Sequence, residues 1–348
     1  MPSPTDSSNP PSHTVDLEAR GAIPQGLSGR LVGIGRDGTV HSVQVHGGRV
    51  SYRGRHFRTD QVVHHLVAFG GSILAFGEDS PAYELSMEID MLRRVDLAGH
   101  GRTLAAYPKH DLATGELHLI ARDTHGVQAH VVVSAGALTR RSRPVLDAPS
   151  HIKGLALSRD YAVFVADGFV GLATRDGDAR TSWVATGVAA PHPVHAHEAA
   201  DAVVLLAVTP SLERWTLHPD SGTIAREVLD ATSRRFAHLR VDGVVGAPRW
   251  VWTTGDETIG RHHLSDSRHV HHSLRPCVPG DFVVVPDPAG QRDADCAWFV
   301  GFVHGTSGTT DLCVIDGAEI AEPAIATVRI PRPIPRWLRC TWIPSTQH

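Results

Sequence analysis

Helical periodicity is almost missing from this chain, and so are like-charge runs, long apolar stretches and paired cysteines. No Lys/Arg run with interleaved aromatics occurs, and a formal charge of -4 offers no long-range attraction to a phosphate backbone, so nucleic acid is not an expected partner. The longest apolar runs, such as "DAVVLLAV", are strand-sized and too short to span a bilayer. Any membrane contact is expected to be peripheral. Cys277, Cys296, Cys313 and Cys340 form no CxxC pair, and no charged-then-apolar leader precedes them. They are read as buried free thiols of a cytoplasmic protein. The short catalytic motifs are missing too: no GxGxxG after a strand, no Walker lysine loop, no GxSxG elbow and no HExxH.

What remains is the composition of an ordinary folded protein, 41% apolar and 20% charged over 348 residues, enough to bury a sizeable core. Residues 1–16, opening "MPSPTDSSNPPSH", are Pro/Ser-rich with little to bury and are expected to form a disordered arm. From Leu17 the chain repeats one theme, four to eight β-branched and aromatic residues followed by a Gly, Asp, Pro or Asn turn. "AHVVVSAGAL", "DFVVVPDPAG" and "AWFVGFVHGTSGTTDLCVID" are examples. "YELSMEIDMLRRVDL" is the best helical candidate and also reads as strand, turn and strand. So many short strands favour an all-β propeller over a sandwich. Histidine is unusually frequent, at 24 residues, and "RHHLSDSRHVHH" reads as strand-face or surface histidine rather than as ligands. Trp215, Trp250, Trp252 and Trp342 are expected to fill blade cores rather than line a tunnel.

Several passages, in order, resemble the carotenoid cleavage oxygenase family. They are "GAIPQGLSGRLVGIGRDG", "LVAFGGSILAFGEDSPAYELSMEIDMLRRVDLAG", "YPKHDLATGELH", "HIKGLALSRDYAVF", "RDGDARTSWVATGVAAPHPVHAHEAADAVV", "LERWTLHPDSGTIAREVLD" and "PRPIPRWLRCTWIP". The resemblance implies a single seven-bladed β-propeller over residues 17–348, with a site on its axis. In the family four histidines hold a non-haem Fe(II). By resemblance the four positions fall here on Tyr107, Lys153, His195 and Arg339, so one imidazole of four is retained. The family's supporting carboxylates are altered as well. Arg235 replaces one, Asp281 shortens another, Glu198 stands in for an asparagine, and Glu78 keeps an equivalent place. Losing ligands together with the groups that orient them argues against retained four-histidine iron.

A rebuilt site using His110, His151 and His195 is the fallback through which Fe(II) could still be held; no metal is the favoured expectation. If Tyr107, Lys153, His195 and Arg339 converge, two fixed cations beside a phenol and an imidazole form an acid/base and anion-holding set. The expected function is therefore binding of an apolar isoprenoid, polyene or aromatic substrate in an axial tunnel, with iron-independent isomerisation or cyclisation. The alternatives are a dioxygenase that cleaves a carbon-carbon double bond at a rebuilt metal site, and a non-catalytic ligand-binding protein. Only the placement of the side chains separates these readings.

Overall fold

Strands with both faces apolar and strands with polar faces alternate along this chain in a fixed order, and that order builds the architecture. The computed structural model describes residues 14–345 apart from 36, 58–62, 78–79, 100–101, 105–107, 136–139, 146–147, 176–179, 233, 240–245, 267, 288–296 and 337. Tyr107, Glu78 and Cys296, and all but the end of the expected N-terminal arm, lie outside the described residues. The described residues contain strands and no helix. They form seven antiparallel sheets, the blades of a seven-bladed β-propeller.

Blade 1 holds Gly29–Ile34, Thr39–His46 and Arg49–His56. Blades 2 to 6 span 63–95, 103–144, 152–185, 192–230 and 236–273, and blade 7 spans 278–329. Within a blade, burial is greatest at the second strand and falls toward the outer edge. The second strands of blades 5 and 7, Ala202–Val208 and Ala297–His304, are buried at every position, because neighbouring blades cover both faces, and they read as unbroken apolar runs for that reason. The outermost strands Met91–Val95 and Arg140–Pro144 are almost wholly exposed and rich in arginine, which suits an unpaired edge.

The ring is closed from both chain ends. Arg339–Pro344 returns to become the innermost strand of blade 1, pairing Gly29 with Pro344 and Ile34 with Arg339. Ala19–Gly21 adds an outer strand to blade 7, pairing Ala19 with Val328. Val15 and Asp16 already pair with Tyr52 and Ser51, since backbone hydrogen bonding to a blade edge can order residues that have little apolar surface to bury. "YELSMEIDMLRRVDL" resolves as strand, turn and strand, with Ile89 at φ 56° in the turn. Trp215 and Trp252 fill interior positions as expected. Cys277, Cys313 and Cys340 are free thiols, with Cys313 fully inside and the other two half-buried.

Candidate axial site

Each blade turns its first strand to the axis: Val63–Phe69, Lys109–Asp111, Ile152–Leu157, His192–Ala199, Phe236–His238, Val278–Pro286 and, for blade 1, Arg339–Pro344. Four of these strands are bulged, between Val63 and His65, Ile152 and Gly154, Pro193 and His195, and Pro279 and Phe282. A bulge places two residues opposite one and re-aims a side chain. These irregularities therefore decide which residues face inward.

A cluster of ionisable groups from six blades meets on the axis. Lys109 of blade 3 donates its amine to the Pro193 carbonyl of blade 5, 3.3 Å away. The Arg339 guanidinium lies over the Phe236 ring, 4.0 Å from its centroid. In blade 7, Asp281 is 2% exposed; one carboxylate oxygen lies 3.1 Å from His238 Nε2, and the other accepts from the Cys340 amide at 2.9 Å. Burial opposes the Asp281 charge, but His238, Arg339 and the Cys340 amide outweigh it and lower the pKa. For Lys109, burial and then the neighbouring Arg339 charge bring the pKa down to about 8. Burial pushes His192 well below its ordinary value, helped by Arg339, Lys109, His65 and His238. At neutral pH the axis thus combines a neutral imidazole at His192, a buried carboxylate, a fixed guanidinium and an amine poised to lose its proton.

A cavity of about 1240 Å³ runs beside this cluster along the inner strands of blades 7, 1, 2 and 3. Its wall is mainly apolar, with Leu66, Val67, Leu112, Val285 and Trp342, and Lys109, His65 and His110 face it as well. The expectation that Trp342 serves a core alone is incomplete; it is 4% exposed, yet lines this space.

The residues expected from the sequence divide. Arg339 and Asp281 join the axial cluster. Lys153 does not: it is the extra residue of the bulge between Ile152 and Gly154, and its half-exposed amine pairs with Asp167 Oδ2 at 2.5 Å. The expectation that Lys153 stands on the axis is corrected by that bulge. His195 is half-buried and donates Nε2–H to the Gly246 carbonyl at 3.0 Å, with its ring against His197. Burial is the first cause of its lowered pKa, and Lys109 adds to it. Glu198 accepts from Ser158 Oγ at 2.6 Å and the Asp160 amide at 2.8 Å, tying blade 5 to the turn of blade 4. Arg235 holds Asp256 in the turn of its own blade, Nε to Oδ1 3.0 Å. His110 packs edge-on against Phe69, and His151 contacts Arg122 at the surface.

These positions do not fit four-histidine iron. Lys153 points outward, Arg339 brings a guanidinium, and His110, His151 and His195 do not form a ligand cluster. Among the described residues one group, Asp230, His262 and His271, brings three ligand atoms within 4.8 Å. There the Arg234 guanidinium already fills the centre, with Nε 2.8 Å from Asp230 and Nη2 2.7 Å from His271. Lys109, His65, His192 and His238 are axial residues that sequence reasoning does not single out. A signal for Lys109 exists in the Pro-Lys pair that follows Tyr107, whereas the Pro193–His195 bulge obscures His192.

Comparison with known proteins agrees with this architecture. Residues 187–344 match the model of the family described as retinal pigment epithelial membrane protein. A carotenoid cleavage oxygenase of Mycobacterium tuberculosis is 24% identical over 151 residues, 39% of this chain, and the matched stretch spans 30% of that relative's length. A variant of the Synechocystis apocarotenoid oxygenase superposes with a TM-score of 0.85 at 17% identity, covering 97% of both chains. The Pseudomonas brassicacearum lignostilbene dioxygenase superposes with a TM-score of 0.84 at 17% identity, covering 97% of this chain and 96% of that one. At such identities the superpositions speak for the fold. The resemblance seen in the sequence, to carotenoid cleavage oxygenases, stands.

Proposed function

We propose that this propeller, with the architecture of carotenoid cleavage oxygenases but a different axial residue set, binds an apolar isoprenoid, polyene or aromatic molecule in its axial cavity. It would act there by iron-independent proton transfer, with isomerisation or cyclisation as the reaction class. The observation that carries this reading is Lys109. Its amine lies beside a fixed guanidinium and faces a cavity walled by apolar side chains, so it can lose and regain a proton near neutrality. Arg339 would hold negative charge that develops on the substrate, and neutral His192 would offer its ring nitrogen lone pair as a hydrogen-bond acceptor. The apolar part of the wall would lower the local dielectric around the Lys109 amine and strengthen its interactions.

The test is conversion of a panel of polyenes and isoprenoids, followed by chromatography with and without a chelator and with and without oxygen. Conversion that persists in both cases and is lost in Lys109→Met, but not in Lys153→Met, is the expected result. Stoichiometric iron with oxygen-dependent cleavage would favour the second reading, a dioxygenase, for which His65, His192 and His238 are the axial imidazoles at hand. Binding without any product would favour a ligand-binding protein.

A further inference from the structure

This chain has 33 cationic side chains, and only two of them are lysines, Lys109 and Lys153. Every other cation is arginine. Lys153 has an ordinary place, half-exposed and paired with Asp167. Lys109 has none: it lines the axial cavity, its amine meets a carbonyl oxygen, and among the described residues no carboxylate pairs with it. If only a positive charge were needed, arginine would serve and would hold it more firmly. A primary amine can do what a guanidinium cannot, which is to form a covalent bond to a carbonyl carbon.

We propose that Lys109 condenses reversibly with an apolar aldehyde or ketone bound in the axial cavity, forming an imine. This rests on the reading of that cavity as an apolar ligand site and names the functional group of its ligand. In the addition step the Nζ lone pair attacks the carbonyl carbon, Nζ releases one of its two protons and the carbonyl oxygen takes one up, giving a neutral carbinolamine. Its hydroxyl then takes up a second proton and leaves as water while Nζ releases its remaining proton, so that the C=O bond is replaced by C=N. No electrons are gained or lost overall, and hydrolysis reverses the sequence. His65 faces the same cavity and is placed to carry these protons. The condensation needs an unprotonated amine. Its place on the apolar cavity wall, against a carbonyl oxygen and with no carboxylate pairing with it among the described residues, favours that form. An arrangement of this kind, a desolvated lysine beside a second cation, is a general means of activating an amine nucleophile.

The near-absence of lysine makes the test clean. The full chain is incubated with farnesal and cyanoborohydride, which fixes any imine as a stable secondary amine, and peptide mapping then compares Lys109 with Lys153. Farnesol, the matching alcohol, reports binding alone through quenching of tryptophan fluorescence, since Trp342 lines the cavity. The expected result is quenching by both molecules and an adduct at Lys109 at least about tenfold more abundant than at Lys153. Lys109→Arg should lose the adduct while farnesol still quenches. Quenching by both without a Lys109 adduct, or with equal labelling of the two lysines, would overturn the imine and leave the apolar cavity standing. Failure of both molecules to quench would overturn the cavity reading itself.

Discussion

Arg339 and Lys109 come from strands far apart in sequence, and each sets what the other can do. The guanidinium cannot lose its proton, so the repulsion between them falls on the amine, which is also desolvated. Replacing Arg339 with Gln removes that repulsion, and the groups left facing Lys109 are His192, His195 and His65 from blades 5 and 2. The pH midpoint of cyanoborohydride trapping at Lys109 should therefore move upward in Arg339→Gln, relative to the parent, and be restored in Arg339→Lys. A variant that traps less at every pH with an unmoved midpoint would mean that Arg339 acts on Lys109 through packing alone. Arg339 can be placed on the axis from the sequence only through the family resemblance that "PRPIPRWLRCTWIP" helps to carry. Lys109 escapes such a reading because the Pro-Lys pair serves only as a landmark for its neighbour. Nothing in one dimension shows that an amine will lie beside a guanidinium some 230 residues further along the chain.

Bulges make the difference between the expected and the observed site. In Ile152–Leu157 the extra residue turns the Lys153 amine out to Asp167, so Lys153→Met should leave the urea midpoint essentially unchanged. Gly154, the next residue, has the opposite importance. A Cβ there would come within 2.7 Å of Pro193 Cδ and 2.8 Å of its Cγ, wedging apart the inner strands of blades 4 and 5. Pro193 carries the carbonyl that receives the Lys109 amine. Gly154→Ala should therefore destabilise the protein by about 1–3 kcal/mol and also reduce trapping at Lys109 in the fraction that remains folded. Loss of stability with unchanged trapping would show that the Pro193 contact is incidental. The strands themselves were legible because blade interiors demand unbroken apolar runs and edges do not. The bulges were not, because an added residue leaves composition and turn signals unchanged while reversing which side chains face inward.

At the scale of the whole propeller, histidine is a structural residue before it is a functional one, and this fixes how the fold responds to acid. His41 bonds Tyr52, His118 bonds His130, His262 bonds Thr253 and His304 bonds Thr310, all inside blades. Burial is the leading cause that lowers the pKa of His118, His130 and His262 to about 3 and of His41, His197 and His304 to about 4. In the unfolded chain each would titrate near the ordinary value of about 6.5. Between these values the unfolded state binds protons that the folded state refuses, so stability is fully present above about pH 6.5 and falls as the pH drops toward 4. The slope is roughly 1.4 kcal/mol per pH unit for each such group. Several groups acting together should unfold the protein well before its carboxylates are neutralised. Urea midpoints measured from pH 8 to pH 4 should be level above pH 7 and decline steeply below about 6.5. A midpoint level down to about pH 4.5 would mean that these imidazoles accept protons in the folded state, and that the blades tolerate charge where the packing says they do not.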